Sequence, residues 1–125
     1  MIEKVQFQLE YELKSSPRIL YSFLIDPTAL EQWLADEVNV KDNIYEFTWE
    51  DETRTAKLVG SRENKSVKYK WLDEENYYFE MEILLHELTN DVALLITDYS
   101  TEENLEDRKK IWDNSIEYLQ RVLGA

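Results

Sequence analysis

The stretch VKYKWLDEENYYFEMEILL, Val67 to Leu85, decides how the chain is read. Two apolar alternations, Val67-Tyr69-Trp71 and Phe79-Met81-Ile83-Leu85, flank the polar run Asp73 to Asn76. Period two is the repeat of a strand with one buried face, and a short polar break between two such runs marks an antiparallel hairpin. Folding the segment about Glu74 sets Lys68 opposite Glu80 and Val67 opposite Met81. Opposite charges then pair on the outer face and apolar side chains on the inner one.

The same period extends in both directions. Upstream, Val38-Asn39-Val40, Tyr45-Phe47-Trp49 and Thr53 to Gly60 read as strands, and downstream Val92 to Tyr99 does. The breaks between them are Lys41-Asp42-Asn43, Glu50-Asp51-Glu52, Arg62 to Lys65 and Thr89-Asn90-Asp91. Connections this short predict an antiparallel meander and not crossover units. Gly60, alone inside a strand pattern, suggests a bulge and not a phosphate loop. The hairpin after Leu85 has two registers. Pairing His86 with Leu94 would put Leu84, Leu94 and Ile96 together on the outer face, a patch suited to a dimer, whereas a shift of register buries Leu94 and Ile96. The buried arrangement is preferred, through a bulge near Leu84-Leu85.

The flanks differ in period. At the start, Val5, Phe7, Leu9, Tyr11 and Leu13 alternate with Gln6, Gln8, Glu10 and Glu12, which is a further half-buried strand. Ser16-Pro17 is a helix start, a good N-cap followed by a proline pre-set for the first helical position, and Ile19, Leu20, Phe23 and Leu24 follow at helical spacing. Asp26-Pro27 repeats the signal, and Leu30, Trp33 and Leu34 predict a second short helix ending near Ala35. From Glu102 to Leu123, Leu105, Trp112, Ile116, Leu119 and Leu123 form one apolar stripe on a long amphipathic helix, with Thr101 a plausible N-cap.

The 125 residues suit one domain, 1–125. With 27 Asp plus Glu against 14 Lys plus Arg, the formal charge of −13 argues against nucleic acid or an anionic membrane surface as partner. The absence of cysteine removes disulfides, thiolate catalysis and cysteine-based zinc sites. Polar or charged residues interrupt the opening strand at every second position, so neither a signal peptide nor a membrane span is expected there, and the location expected is cytoplasmic.

The resulting class is α+β: a seven-stranded curved antiparallel sheet wrapped around a long C-terminal helix, with two short helices after the first strand. The inward aromatics Phe7, Tyr11, Tyr45, Phe47, Trp49, Tyr69, Trp71, Phe79 and Trp112 are bulky enough either to fill the space between sheet and helix or to line a pocket there. This order of elements, with the segments Ser16 to Leu24, Asp26 to Trp33 and the Trp112 helix, resembles the START-like, or SRPBCC, helix-grip superfamily. That superfamily includes birch-pollen-allergen relatives, polyketide cyclases and activators of the ninety-kilodalton heat-shock chaperone ATPase. The small bacterial homologues of the last group are the most similar branch. The resemblance implies a cavity between sheet and terminal helix that takes a hydrophobic or amphipathic small molecule or lipid, and it transfers no catalytic residue. The short, glycine-poor loops here depart from the pattern and imply a small or closed cavity.

Within that frame the ligand-binding set expected is Arg108, Tyr45, Trp49, Tyr69, Trp71, Phe79 and Trp112, with no metal and no cofactor. Arg108 lies at the edge of the apolar helical stripe. Its guanidinium can sit at a pocket mouth and take a carboxylate or phosphate, or its stem can cover the core edge while its head pairs with a protein carboxylate. Tyr11, Tyr45, Tyr69 and Tyr99 are expected to point inward as polar anchors or core residues, and Asp98 to face the cavity or cap a loop. His86, the single histidine, alternates with Glu80 and Glu82 on the outer face and is expected to be solvated or dimer-facing. Glu50-Asp51-Glu52 and Asp73-Glu74-Glu75 lack the spacing of a calcium loop and read as solvated turns. The functional expectation is a non-enzymatic binding domain, monomer or weak homodimer. The alternatives are an interaction module whose acidic surface meets a basic protein and, ranked last, a cyclase-like enzyme.

Overall fold

The computed structural model describes residues 3–124. Its elements are β1 (Val5–Leu13), α1 (Pro17–Ile25), α2 (Pro27–Leu30), β2 (Glu37–Lys41), β3 (Ile44–Trp49), β4 (Glu52–Arg62), β5 (Ser66–Trp71), β6 (Tyr78–His86), β7 (Asp91–Ser100) and α3 (Leu105–Val122). The strands form one antiparallel sheet of seven in the order β1-β7-β6-β5-β4-β3-β2, a meander from β2 to β7 onto which β1 is added beside β7. Its concave face carries the core, and α3 lies across it.

The hairpins follow from local chemistry. Lys68 lies opposite Glu80 and Val67 opposite Met81. Asp42 and Asn43 adopt φ of 52° and 67° between the paired residues Lys41 and Ile44, the two left-handed positions of a tight primed turn. Asn64, Asn76 and Asn90 take the left-handed position in the later turns, with φ of 62°, 69° and 62°. Asparagine tolerates that conformation, so the chain turns repeatedly with few glycines. Gly60 marks a register shift between β4 and β5 at Leu58. Between β6 and β7, Ile83 faces Leu94 and Met81 faces Ile96, which buries Leu94 and Ile96 as expected. The expected bulge near Leu84-Leu85 is not needed, because the turn itself sets His86 opposite Asp91 and the ladder runs unbroken.

Ser16 caps α1 by accepting from the Ile19 amide at 3.2 Å, and Pro17 opens the helix. Asp26 ends α1 and accepts from the Thr28 amide at 2.9 Å to start α2. The second helix stops at Leu30 and does not reach Ala35. Beyond it the chain continues in turns that still bury Trp33 and Leu34. The Trp33 indole donates to the Phe23 carbonyl at 2.8 Å, and the Trp49 indole to that of Leu34 at 2.7 Å. α3 begins at Leu105 and not at Glu102, because Thr101 Oγ1 accepts from the Asn104 amide in a preceding turn and Asn104 takes the cap position.

Tyr99 corrects one expectation. Gln6 pairs with Tyr99 and Phe7 with Asp98, so an unbroken β7 places Asp98 inward and Tyr99 on the convex face. There its ring packs against Tyr77 and Tyr78, each at 5.2 Å between centroids, and its hydroxyl accepts from the Gln6 amide nitrogen.

Candidate functional site

The seven side chains expected to bind a ligand divide by position. Tyr45, Tyr69, Phe79 and Trp112 are buried in the core. Tyr69 stacks on Phe79 and meets Tyr45 edge-on, both with centroids 5.0 Å apart, and Phe79 contacts Trp112 at 6.0 Å. Their polar atoms have partners. The Tyr69 hydroxyl donates to the Leu24 carbonyl and the Tyr45 hydroxyl to that of Ile25, each at 2.7 Å, so these phenols stitch the end of α1 to the sheet. Burial pushes both phenols above their ordinary range, with the Tyr45 side chain adding to the effect at Tyr69. These four behave as core, and the bulk of their rings keeps α3 at a distance from the sheet.

Trp71 is buried with them but reaches an opening beside the N-terminal half of α3, which Arg108 and Trp49 also border. Arg108, Arg54, Trp71, Tyr77 and Ile111 are among the walls of a cleft of about 350 Å³ between the start of α3 and the β5–β6 turn. An adjoining depression of about 380 Å³ shares Arg54, Arg108 and Ile111 and adds Leu34, Trp49, Glu52 and Ser115. Arg108 donates from Nε to Oδ2 of Asp98 at 3.0 Å, and the Trp112 indole donates to the same oxygen at 2.8 Å. The other oxygen, Oδ1, accepts from the Tyr99 amide at 2.8 Å. Asp98 is 2% exposed, so three donors compensate a carboxylate taken out of water. Only Nε of Arg108 is engaged: among the described residues its two Nη groups have no protein hydrogen-bond partner, and they are the edge available to a ligand in the cleft.

Arg54 is held differently. Its guanidinium lies 3.7 Å from the centroid of the Trp71 ring, donates twice to Asp73, and reaches Glu74 at 2.9 Å. Burial alone would lower its pKa, but the bonds to Asp73 and the charges of Asp73, Glu74 and Glu52 outweigh that and raise it. The same bond from Arg54 draws Asp73 below the usual carboxylate range. Lys4 pairs with Glu74 at the same rim. Three cations therefore line one cleft together with Asp98 and Asp107, and each is ion-paired: Lys4 with Glu74, Arg54 with Asp73 and Glu74, and Arg108 with Asp98.

Arg54 and Lys4 are absent from the residues expected to bind. Strand parity carries a signal for Arg54: it lies opposite Phe47, two positions from Ala56, which faces Tyr45, so it occupies an inward slot among apolar neighbours. Tyr11 points to the concave side but donates to Asp113 of α3 at 2.6 Å, and burial with the Asp113 charge raises its pKa. His86 is exposed at the β6–β7 turn. No group of three or more His, Cys, Asp or Glu residues with the disposition of a metal site occurs among the described residues, and no helix there is long and apolar enough to cross a membrane.

Comparison with known proteins agrees with this architecture. The chain is 36% identical to BfR322 of Bacteroides fragilis, whose solution structure superposes with a TM-score of 0.66 over 98% of this chain and 92% of that one. The Aha1 dimer of Colwellia psychrerythraea shares the fold, at 16% identity and a TM-score of 0.80 over 95% of this chain and 96% of that one. So does MLL2253 of Mesorhizobium loti, at 15% identity and a TM-score of 0.81 over 96% and 97%. Among curated proteins none matches the chain. The model of the START-like superfamily domain matches residues 1–125. Together with the sheet wrapped on α3, these matches make the chain a member of the START-like superfamily.

Proposed function

We propose that the protein is a binding module for a small amphipathic anion, taken into the cleft beside α3 and not into the interior between sheet and helix. The observation that carries this reading is the unengaged Nη edge of Arg108, held in place through Nε by the buried Asp98 and set against the apolar Ile111. A guanidinium fixed at one edge has already lost much of its side-chain freedom, so it binds a carboxylate, sulfonate or phosphate oxygen at a reduced entropic cost. The Ile111, Trp49 and Leu34 side chains supply the apolar wall. The reading is binding and not turnover: Asp98, the carboxylate beside Arg108, is committed by its three hydrogen bonds to holding Arg108 and Trp112 in place.

Native mass spectrometry of the freshly purified protein tests the reading. A co-purifying anionic small molecule that is lost from Arg108→Ala supports it. A bare protein that also fails to bind millimolar octanoate overturns it.

A second reading, an interaction module for a basic protein, rests on the exposed carboxylates Glu102, Glu103, Glu106 and Asp107 at the start of α3. It predicts a complex that weakens steeply with salt and is insensitive to Arg108→Ala.

A further inference from the structure

The two edges of the sheet are finished differently. At one edge β2 is five residues long, ends in Lys41, and has its Val38 amide taken up by Glu31 Oε2 at 3.0 Å. Shortness and an edge lysine are two of the ways a sheet is closed to further strands, and the Glu31 cap occupies a free amide as well. At the other edge β1 runs nine residues and pairs with β7 without a bulge from Val5 to Leu13. It contains no proline, lysine or arginine. Among the described residues its backbone makes no hydrogen bond outside the ladder to β7, and α3 meets it through a side-chain bond, Tyr11 to Asp113. The far side of β1 is therefore a row of N–H and C=O groups open to another strand. Its inward side chains Val5, Leu9 and Tyr11 are only half-buried.

The side chains make this edge complementary to itself. The exposed face reads Gln6, Gln8, Glu10, Glu12, amides in the first half and carboxylates in the second. When a second β1 lies antiparallel about a twofold axis through Leu9, Gln8 falls opposite Glu10 of the other copy, and Gln6 opposite Glu12. On the inward face Phe7 meets Tyr11, Leu9 meets Leu9, and Val5 meets Leu13. Gln8 spends one amide N–H on Thr97 Oγ1 and keeps the other for Glu10, whereas the Gln6 amide is committed to Tyr78 and Tyr99. Other registers fit less well. An axis through Glu10 sets that carboxylate against itself, one through Tyr11 opposes Glu10 and Glu12 twice, and one through Gln8 leaves Glu12 and Leu13 beyond the pairing. With the axis at Leu9, Lys4 and Lys14 approach outside the strand ends, where Lys4 is already turned to Glu74.

We infer that the free edge of β1 is an interface between two copies of this chain, which joins their sheets into one through antiparallel β1–β1 pairing centred on Leu9. The pairing forms about eight to ten backbone hydrogen bonds. No residue from Val5 to Leu13 lines the Arg108 cleft, so the inference is independent of what that cleft binds. Two copies, each of charge −13, repel one another at a distance, so the dimer is weak and tightens as salt screens them. That sign is opposite to the one expected of a complex with a basic protein.

Sedimentation equilibrium of the full chain from about 10 µM to about 1 mM tests the association. The mass is expected to rise from 15.1 kDa toward twice that value, and to do so at lower concentration in about 0.5 M than in about 0.05 M salt. Gln8→Glu sets two new carboxylates against Glu10 and is expected to weaken the dimer about tenfold, while Gln8→Lys is expected to tighten it about threefold or more. The same two charges placed at Asn39, exposed on the other edge strand, control for net charge and are expected to change association less than about twofold. Because the chain has no cysteine, one introduced thiol reports the register. A short bismaleimide is expected to link two copies of Leu9→Cys and not of Gln6→Cys, whose thiols lie about 20 Å apart in this pairing. Circular dichroism checks that each variant is folded. A protein monomeric throughout, an affinity unmoved by both Gln8 changes, Asn39 variants acting as strongly as those at Gln8, or cross-linking no greater at Leu9 than at Gln6 overturns the inference.

Discussion

Arg108 and Asp98 meet through a single bond, Nε to Oδ2 at 3.0 Å, in which the carboxylate is buried and the guanidinium still opens onto a cleft. The pair joins β7 to α3 and also holds Trp112, the largest side chain that α3 puts into the core. Stability and recognition therefore share one group. Removal of Asp98 leaves the Trp112 indole N–H and the Arg108 Nε without acceptors. Asp98→Ala is expected to cost about 2–4 kcal/mol in urea denaturation. Asp98→Asn, which keeps an acceptor oxygen, should cost markedly less, and equal losses would show that the hydrogen bonds to Asp98 are not what matters.

Arg108→Ala should affect the fold and the site unequally. It leaves Asp98 with its Trp112 and Tyr99 donors, so the stability loss expected is about 1–2 kcal/mol. Affinity for octanoate should fall about tenfold or more. The two effects separate in one sample, by urea denaturation and by titration well below the transition.

Tyr69→Phe removes the hydroxyl that satisfies the Leu24 carbonyl and should destabilise by about 1–2 kcal/mol, read by thermal or urea unfolding. The pH dependence has a definite sign. Tyr11, Tyr45 and Tyr69 all have pKa values raised in the fold above the ordinary 10.0, so folding holds their protons. Their contribution is complete below about pH 10 and is lost as pH rises beyond it, because the unfolded chain ionises first. Tyrosinate absorbance should therefore appear together with unfolding for these groups. A full complement of tyrosinate in a chain still folded by circular dichroism would contradict their placement.

Gly60 supplies a prediction of tolerance. A Cβ there would meet Lys68 Cβ at 3.7 Å, ordinary contact, and its φ is not in the left-handed region. Gly60→Ala should be neutral or stabilising by up to about 1 kcal/mol through the unfolded chain, as measured by thermal unfolding. A loss above that range would mean that the bulge at Leu58 needs glycine itself.

The meander was legible because every hairpin repeats one rule, apolar parity on both sides of a short polar turn; Lys68 opposite Glu80 is the clearest case. The length of α2 was not, because Trp33 and Leu34 at helical spacing are buried as effectively from a turn, once the Trp33 indole finds the Phe23 carbonyl. The candidate site was half legible. Arg108 stood out at the edge of an apolar stripe, but whether the inward aromatics fill or line the interior depends on how seven strands curve around them. That is a sum of side-chain volumes which no local pattern records. Arg54 needed a register: only opposite Phe47 is its inward position apparent.

The central claim is that a ligand binds beside α3, at Arg108, and leaves the core rings undisturbed. Chemical-shift mapping of the isotope-labelled 15.1 kDa protein during titration with octanoate measures this most directly. The shifts should be saturable and concentrated at Arg54, Trp71, Arg108 and Ile111 and at the Trp49 indole, with Tyr45, Tyr69 and Phe79 nearly unmoved. Saturable shifts centred on Tyr69 and Phe79, or none at all, would contradict it.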